Sequence, residues 1–333
     1  MQILVIGAFG YIGSQVLESL GASRDYRDAR IVAVDNWSYG RGMAPLQAYF
    51  KGRLRNFEPH CIDLSDRSSA KLRELVAASD YVINVASLTQ VPSNELHTKY
   101  ILHGVENLID MLLAGPGRLR KVIDISSTSI YGPVKTRMPG VKLPYGEDVT
   151  PDPALSFHNY AENKLKVETL WQAPRCNDLP WTDFRLSTVF GYSVGMRYNQ
   201  FIGQFLVDAC AGRETILPGA PDNYRPFCHV RDCAELMLHL FENDRGTNGH
   251  VINIGARTLN PRLGDLFADL AALLRQDYGI TARYRFFSEI DTPPFEEDYQ
   301  VDFTKFETMV GFRLKYDFER GARELVDKVL GRS

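Results

Sequence analysis

Cysteine is scarce in this 333-residue sequence, and long apolar runs are missing altogether. The five cysteines are scattered and form no Cys-x-x-Cys pair, so we expect free thiols in a reducing compartment rather than a disulfide scaffold. No apolar run approaches the roughly 20 residues that a membrane-spanning helix needs. The chain begins on a strand-like segment without a basic region or a cleavage site, which predicts no signal peptide. We therefore expect a cytoplasmic protein without a membrane partner.

An excess of charge of one sign is also missing. Lysine and arginine number 38 against 41 aspartates and glutamates, and the formal net charge is -3. Such a balance gives no reason to expect nucleic acid as a partner. His97, His103 and His158 do not stand at metal-ligand spacing from cysteines or carboxylates, so no metal site is predicted. A small molecule is left as the expected partner.

Short apolar runs alternate with amphipathic stretches through the first 190 residues. The runs are continuously hydrophobic, which indicates strands buried on both faces of a parallel sheet. Helices on each side of such a sheet give a doubly wound Rossmann fold. The predicted strands are Ile3–Ile6, Ile31–Val34, Tyr81–Val85, Val122–Ile125 and Phe184–Val189, and the predicted helices include Tyr11–Leu20, Ser69–Ala77 and Tyr100–Leu113.

After residue 190 the sequence has more loop-like segments, rich in proline and glycine. The elements expected there are helices over Gln200–Ala211 and Leu263–Tyr278, a strand over Val251–Ile254, and irregular chain over residues 281–300. We therefore predict an α/β chain of two parts, the second being a smaller α/β lobe over the carboxyl ends of the strands. The predicted boundaries are 1–190 with about 228–256 for the sheet domain, and 191–227 with 257–333 for the lobe.

A glycine-rich segment follows directly on the first predicted strand. Gly7 permits the sharp turn out of the strand, Gly10 lets backbone approach a pyrophosphate, and Gly13 lets the next helix pack closely on the sheet. That helix points unpaired N–H groups and the positive end of its dipole at the anion. The segment therefore predicts a dinucleotide site. The other cofactor contacts expected in this turn are Phe9, Tyr11 and Ile12.

Acidic residues follow the next two apolar runs. Asp35 stands 22 residues beyond Gly13, where a carboxylate binds the adenosine ribose and repels a 2′-phosphate, so NAD is expected rather than NADP. Asp63 is placed to bind the adenine amino group, although the segment that it begins also has the composition of a turn or helix start. The remaining predicted NAD contacts are Asn36, Leu64, Ala86 and Lys164.

Tyr160 and Lys164 stand four residues apart, which places them on one face of a helix. A phenol is a poor base at neutral pH, but a lysine ammonium and a nicotinamide cation beside it favour the phenolate. Ser127 ends a predicted strand, where open α/β sheets gather their ligands, and its hydroxyl can orient a substrate alcohol. The three residues predict a proton-transfer site; the alternative is that Tyr160 and Lys164 lie on a solvated helix face.

Together these features resemble the extended short-chain dehydrogenase/reductase family, the NAD-dependent nucleotide-sugar epimerases and dehydratases. The residues that carry the resemblance, in order along the chain, are Gly7–Gly13, Asp35, Asp63, Asn84–Ser87, Ser127, Ile130–Gly132, Tyr160, Lys164 and Arg225–Asp232. It implies a domain that binds NAD and a lobe that binds a nucleoside diphosphate sugar. It also implies transient oxidation of a sugar carbon, with Tyr160 as the base, Ser127 assisting and Lys164 tuning.

The resemblance further implies an assembly and a set of substrate contacts. A homodimer is expected through the helices that contain Tyr100–Leu113 and Tyr160–Leu170. Arg225 is expected on the diphosphate, although it can equally be a structural ion-pair partner. The other expected substrate contacts are Thr89, Ser127, Thr128 and Asn199.

Departures from the family pattern narrow the reaction. In the 4,6-dehydratases the residue at the place of Ser127 is followed by Asp-Glu, which supply an acid and a base for loss of water. Here Thr128 and Ser129 follow, and hydroxyls do not titrate usefully near neutral pH. The glutamate that related decarboxylases keep at the place of Ser129 is missing too. An epimerase or a simple oxidoreductase needs only Ser127, Tyr160 and Lys164.

Two other departures concern the substrate. Ile101 stands where the family commonly has an asparagine that orders the active-site helix. The segment before Tyr299 is acidic, reading Glu296-Glu297-Asp298, where the family commonly has a second arginine for the diphosphate. Either Arg225 acts with another cation, Arg197 or Arg285, or the substrate is not an ordinary nucleotide sugar.

Three functions remain open. The first is a nucleotide-sugar epimerase acting at carbon 4, which returns its NAD unchanged. The second is an NAD(P)-dependent oxidoreductase of a keto-sugar, which uses the same residues. The third is a non-enzymatic NAD-sensing protein on the same fold, which the presence of Tyr160 and Lys164 argues against.

We expect NAD to bind much more tightly than NADP, because the Asp35 carboxylate opposes a 2′-phosphate. Calorimetric titration of the apoprotein with the two cofactors measures the difference. Equal or tighter binding of NADP contradicts the assignment and points to the nearby Arg41 as the residue that accepts the phosphate.

Overall fold

The fold was analysed in a computed structural model of the chain. The residues that it describes are 1–37, 44–88, 93–115, 117–138, 140–156, 158–196, 198, 200–243, 246–289 and 298–332.

The strands form one large parallel sheet and two small sheets. Their bounds are β1 Gln2–Ile6, β2 Arg30–Asp35, β3 Asn56–Cys61, β4 Tyr81–Asn84, β5 Lys121–Ser127, β6 Trp181–Leu186, β7 Thr188–Phe190, β8 Glu214–Leu217, β9 Phe227–His229, β10 His250–Ile254 and β11 Arg283–Phe286. The large sheet has the order β10-β6-β5-β4-β1-β2-β3, and the small ones pair β11 with β8 and β7 with β9. The order reverses direction between β1 and β4, and such a switch point forms a ligand crevice at the carboxyl ends of the strands.

Helices cover both faces of the large sheet. Their bounds are α1 Tyr11–Ala22, α2 Ala44–Lys51, α3 Ala70–Ala77, α4 Asn94–His97, α5 Gly104–Ala114, α6 Val134–Arg137, α7 Asn159–Trp171, α8 Phe201–Cys210, α9 Val230–His239, α10 Leu263–Tyr278, α11 Thr304–Met309 and α12 Phe318–Val329. Among the helices of the described residues, none is both long and apolar enough to cross a membrane.

Burial on both faces of the sheet follows from the continuous apolar runs. In β1, Ile3 and Val5 pack into a core with α1 and α9, whereas Leu4 and Ile6 pack into a second core with α5 and α7. A strand with solvent on one face would alternate apolar and polar residues. The predicted doubly wound α/β fold is confirmed.

Two of the predicted elements are wrong in detail. The run Phe184–Val189 is not one strand, because the chain leaves the large sheet after Leu186 and pairs with β9 from Thr188 onward. The first part is fully buried and the second partly buried, and both contain apolar residues, so hydrophobicity does not mark the break. At the break the Ser187 hydroxyl donates to the Ile254 carbonyl at 2.6 Å. Residues 283–286, expected to be irregular, form β11, whose alternation of arginine with tyrosine and phenylalanine fits an edge strand.

A further departure lies between α4 and α5. Residues 98–103 form a π-helical turn, so the predicted helix over Tyr100–Leu113 begins in π rather than α geometry. Ile101 is fully buried in this turn, at the place where the family commonly has asparagine. Such insertions are often found at functional sites, and this one packs against α7.

A separate apolar core lies after residue 189, built from α8, α10, α12, β8 and β11. Phe205, Phe267 and Phe286 are among its fully or nearly fully buried side chains. This core draws on both of the segments assigned to the smaller lobe. The exact division into two domains stays a prediction.

A buried ion pair joins α7 to the sheet. The guanidinium of Arg185, in β6, donates to both carboxylate oxygens of Glu168, in α7, at 3.0 and 2.8 Å, and both side chains are almost fully buried. Ser126 of β5 donates to the same carboxylate at 2.5 Å. Arg185 also donates to the Tyr131 hydroxyl at 2.6 Å. These bonds fix the height and rotation of α7 over β5 and β6.

We expect Arg185→Met to lower the free energy of unfolding by roughly 3–5 kcal/mol, because it leaves the Glu168 carboxylate buried without its cation. Urea unfolding followed by circular dichroism measures the change. The matched control is Arg67→Met, which breaks two exposed ion pairs, with Glu106 and Asp110, and is expected to cost at most about 1 kcal/mol. Equal losses for the two variants would contradict the role given to the buried pair.

Candidate functional site

A cavity of about 590 Å³ opens at the carboxyl ends of the strands. Its walls come from the glycine-rich turn before α1, the end of β5, the start of α7, and β8 with α8 from the smaller core. Predicted site residues from distant parts of the sequence meet here. Those that line the cavity are Gly10, Tyr11, Ile12, Ser127, Thr128, Tyr160 and Arg225.

The glycine-rich turn packs tightly against the sheet on one side and presents backbone without side chains on the other. Gly7 has a φ of +77°, and a Cβ on it would lie 2.6 Å from the backbone nitrogen of Ala86. A Cβ on Gly13 would lie 2.1 Å from the Gly7 carbonyl oxygen, so α1 packs where only glycine fits. Gly10, directly before α1, lines the cavity and has no side chain to fill it. The turn therefore fits an anionic diphosphate at the helix terminus.

The side chains of the turn are fixed by contacts outside it. The Tyr11 hydroxyl donates to the carbonyl of Gly191 at 2.5 Å, which ties the turn to the chain that leaves β7. Ile12 is half-buried at the cavity wall, whereas Phe9 is buried in the core. Of the three, Tyr11 and Ile12 reach the cavity and Phe9 supports the turn from behind.

Asp35 ends β2 directly beside this turn. One carboxylate oxygen accepts the N–H of Phe9 at 3.0 Å, and the other accepts the N–H of Trp37 at 2.9 Å. Burial raises the pKa of Asp35 above its usual value, and these backbone N–H groups oppose the rise. These hydrogen bonds hold the carboxylate rigidly at the strand end, and Asn36 follows it.

The other predicted NAD contacts lie along the same edge of the sheet. Asp63 has the contacts of a turn residue: one oxygen accepts the N–H and the hydroxyl of Ser65 at 2.9 and 2.7 Å, and the other lies 3.0 Å from the Lys99 ammonium. Leu64 is buried and its carbonyl accepts the side-chain amide of Asn107 at 2.7 Å. Ala86 packs on Gly7. Asp63 therefore has the contacts expected of a turn residue, and its contact with adenine stays a prediction.

Ser127, Tyr160 and Lys164 converge at the junction of β5 and α7. Ser127 and Tyr160 line the cavity, and the Lys164 ammonium lies 5.8 Å from the centre of the Tyr160 ring. Lys164 is 2% exposed and donates to the carbonyl of Ile125, so the solvated-face alternative does not hold for it. The Ser127 hydroxyl accepts the N–H of Ser129 at 3.1 Å, which leaves its own hydrogen to donate.

Two histidines that sequence reasoning set aside flank the tyrosine. The ring centres of His97 and His158 lie 6.4 and 6.2 Å from that of Tyr160. His158 caps α7 by accepting the N–H of Ala161 at 3.2 Å, and His97 ends α4. Both line the cavity. No spacing pattern links His97 to Tyr160, because their proximity depends on how α4 packs against α7.

The described residues include some of the predicted substrate contacts. The Arg225 guanidinium lies 4.6 Å over the Phe201 ring and 5.8 Å from the ring centre of Tyr299, at the cavity wall. The Thr128 hydroxyl, which is buried, donates to the carbonyl of Leu186 at 3.3 Å. Thr89 and Asn199 lie outside the described residues, as do Arg41 and Arg197.

Asp298 is the described residue of the acidic segment before Tyr299. Asp298 accepts the N–H of Tyr224 at 2.8 Å and forms an ion pair with Lys135. Its charge is therefore compensated within the protein; Glu296 and Glu297 lie outside the described residues. Arg285 pairs with Glu214 at 3.1 Å, away from the cavity wall.

Comparison with known proteins agrees with this geometry. A dTDP-glucose 4,6-dehydratase of Streptomyces griseus is 24% identical over 96% of this chain and 91% of its own length. A UDP-glucose 4-epimerase of Lacticaseibacillus casei is 26% identical over 77% of this chain and 76% of its own length. The crystal structure of a UDP-glucuronic acid 4-epimerase of Bacillus cereus, in complex with UDP-glucuronic acid and NAD, is similar in fold, with a TM-score of 0.81 at 20% identity over 99% of each chain.

The family comparison covers most of the chain. Residues 3–255, from β1 through β10, match the model of the NAD dependent epimerase/dehydratase family. The matched region contains the glycine-rich turn, Asp35, and the Ser127, Tyr160 and Lys164 cluster. NAD is the cofactor of this family, and the turn and Asp35 fit it. The chain is thus an enzyme of the NAD dependent epimerase/dehydratase family.

Proposed function

We propose that the protein is a nucleotide-sugar epimerase acting at carbon 4. The observation that carries the proposal is that Ser127 and Tyr160 meet at one cavity, with Lys164 buried behind the tyrosine, and that the described lining of this cavity includes no aspartate or glutamate. Loss of water from a sugar needs an acid and a base near its far end, which carboxyl groups supply most directly. Proteins of similar fold include a UDP-N-acetylglucosamine 4-epimerase of Methanobrevibacter ruminantium, with a TM-score of 0.76 at 22% identity.

The glycine-rich turn and β2 would hold the cofactor. The first N–H groups of α1 would hold the diphosphate, and Asp35 would accept hydrogen bonds from the adenosine ribose. Asn36, Asp63 and Leu64 border the adenine. Bound there, NAD would supply the hydride-transfer chemistry for the sugar carbon.

Tyr160 accepts the proton of the sugar hydroxyl while the hydride leaves the same carbon. The Lys164 ammonium behind the ring stabilises the phenolate electrostatically. Ser127 donates a hydrogen bond to the sugar oxygen, which holds it at the phenol. Reversal of the same transfers on the other face of the keto-sugar gives the epimer, so Tyr160 returns the proton that it took.

The far side of the cavity would hold the nucleoside diphosphate. Arg225 provides a planar set of donors for the diphosphate, and its stacking between Phe201 and Tyr299 limits the orientations of the guanidinium. Thr128 and Ser129 face the far end of the sugar with hydroxyl groups only. We assign Thr89 and Asn199 to the substrate as well. The proposed assembly is a cytoplasmic homodimer formed through α5 and α7.

One observation favours the alternative of a net oxidoreductase acting on a nucleotide keto-sugar. Net reduction of a keto-sugar must draw its proton from solvent, and the reverse oxidation must release one there, whereas epimerisation returns the proton to the substrate. The Nε2 atom of His97 is buried at the cavity without a hydrogen-bond partner among the described residues, close to Tyr160. An imidazole there can pass a proton between Tyr160 and solvent. A related protein of Aggregatibacter actinomycetemcomitans is a GDP-6-deoxy-D-talose 4-dehydrogenase, 24% identical over 72% of this chain.

We expect Tyr160→Phe to lower kcat roughly 10²–10⁴-fold while leaving NAD affinity nearly unchanged, because the ring still packs but the proton acceptor is gone. Ser127→Ala is expected to lower kcat less, since water can replace a hydroxyl donor in part. Steady-state kinetics and calorimetry measure the two effects. Near-normal turnover by Tyr160→Phe would show that the base lies elsewhere.

The reaction is tested by incubation with a panel of UDP-, dTDP-, CDP- and GDP-sugars. We expect a product of unchanged mass and altered chromatographic retention, without net NADH. Loss of one water, about 18 mass units, would refute the proposal and direct attention to His97 and His158 as acid and base. Stoichiometric NADH would instead establish the oxidoreductase.

A further inference from the structure

Asp183 is a buried carboxyl group for which the proposed mechanism has no use. It lies in the middle of β6, its side chain is fully buried, and neither carboxyl oxygen has a hydrogen-bond partner among the described residues. Buried polar groups in native proteins are almost always hydrogen-bonded, because an unpaired one costs about 1–3 kcal/mol. Its presence in the core therefore requires an explanation.

The strand register places a second carboxyl group beside it. Asp183 pairs with Asp124 of β5, and neighbouring strands lie about 4.8 Å apart, so both side chains stand side by side under α7. Asp124 accepts the side-chain amide of Asn84 at 2.8 Å and the indole N–H of Trp171 at 2.5 Å. On the other side of Asp183, β10 presents Val251, which is apolar. Asp124 is thus the polar neighbour of Asp183 across the sheet.

The buried charges under α7 do not balance if every carboxyl group is ionised. The carboxyl groups are those of Asp124, Asp183 and Glu168, and the cations are Lys164 and Arg185. The charge of Arg185 is balanced by Glu168 in a bidentate ion pair. The Lys164 ammonium, which donates to the carbonyl of Ile125 next to Asp124, is then the cation left for the two other carboxyl groups, and one proton on them makes the cluster neutral. Like-charged carboxylates held together in a core share a proton for this reason.

We propose that Asp124 and Asp183 hold one proton between them and together supply the single negative charge that fixes the Lys164 ammonium behind Tyr160. They are positioning residues, since neither lines the cavity. The proposal rests on the proposed function for the role of Lys164. The protonated carboxyl also explains how Asp183 is tolerated, because its O–H can turn toward Asp124 as a donor.

The electrostatics of the cluster agree with this assignment. Burial raises the pKa of Asp183 well above its usual range, and the neighbouring charges of Asp124 and Glu168 raise it further. Burial also raises the pKa of Asp124, against the lowering effect of the Lys164 charge. The Lys164 charge lowers the pKa of Asp183 as well, against the larger effect of burial, which is the direction expected of a cation near both carboxyl groups.

Infrared difference spectroscopy tests the proton directly at neutral pH. The wild-type-minus-Asp183→Asn spectrum should show the C=O stretch of a protonated carboxylic acid, and so should the wild-type-minus-Asp124→Asn spectrum, because the single carboxyl left in either variant ionises against Lys164. The control is Asp80→Asn. Burial raises the pKa of Asp80, but hydrogen bonds from Gln2 and Arg118 bring it below its usual range, so no such band should be lost. Absence of the band from both aspartate difference spectra overturns the proposal.

A double-mutant cycle tests the function of the shared charge. Each single variant keeps one carboxylate and should hold kcat within a few-fold of wild type. Asp124→Asn with Asp183→Asn removes the counter-ion, and should lower kcat by more than about tenfold and move the alkaline limb of the kcat profile to lower pH, because a buried ammonium without an anion loses its proton more easily. Additive effects of the two substitutions, or an unchanged pH profile, overturn the proposal.

The proposed function and the shared proton are tested independently of each other. The infrared band does not depend on turnover, so it is measured even if no sugar nucleotide in the panel reacts. If the expected band is found but no sugar nucleotide reacts, the proposed function is contradicted and the shared proton is still supported. Calorimetric NAD binding confirms that each variant is folded, and if the double variant does not fold, the infrared spectra of the two single variants decide.

Discussion

The arrangement of the site depends on how polar side chains are accommodated between α7 and the sheet. A helix that covered β5 and β6 with apolar side chains alone could slide or rotate at little cost. The Glu168 carboxylate instead joins Ser126 and Arg185, and each hydrogen bond has a direction as well as a length. Breaking such a buried set costs far more than breaking an exposed pair, because charges are left in a medium that solvates them poorly. The height of Tyr160 above Ser127 follows from this.

A second chain of hydrogen bonds connects this helix with the glycine-rich turn. Asn84, at the end of β4, accepts the N–H of Ala86 and donates to Asp124, which in turn accepts the indole N–H of Trp171. Ala86 packs directly on Gly7, where a Cβ on the glycine would not fit. The diphosphate cradle and the proton-transfer residues are therefore positioned by one continuous polar layer. A displacement of α7 would therefore shift both the diphosphate cradle and the proton-transfer residues.

Much of the fold and of the site was predictable from local sequence patterns. Continuous apolar runs predicted the parallel sheet, and the spacing of glycines predicted the tight turn, because both effects act over a few residues. Tyr160 and Lys164 were predictable as a pair because helical periodicity alone sets their relation. The end of β6 was missed because Val189 and Phe190 continue the apolar run soon after Ser187 and Thr188. The π-helical turn around Ile101 was missed because it depends on packing between helices.

The sequence by itself determined the fold class, the cofactor turn and the types of residue available for chemistry, since periodicity, chain reversal and side-chain functional groups are local properties. Tertiary structure alone decided which of those groups meet. His97 lies beside Tyr160, and Asp183 beside Asp124, only because helices and strands distant in the sequence pack together. The same burial decided which charges matter: an exposed carboxylate is hydrated by water, whereas a buried one must find a cation, a donor or a proton.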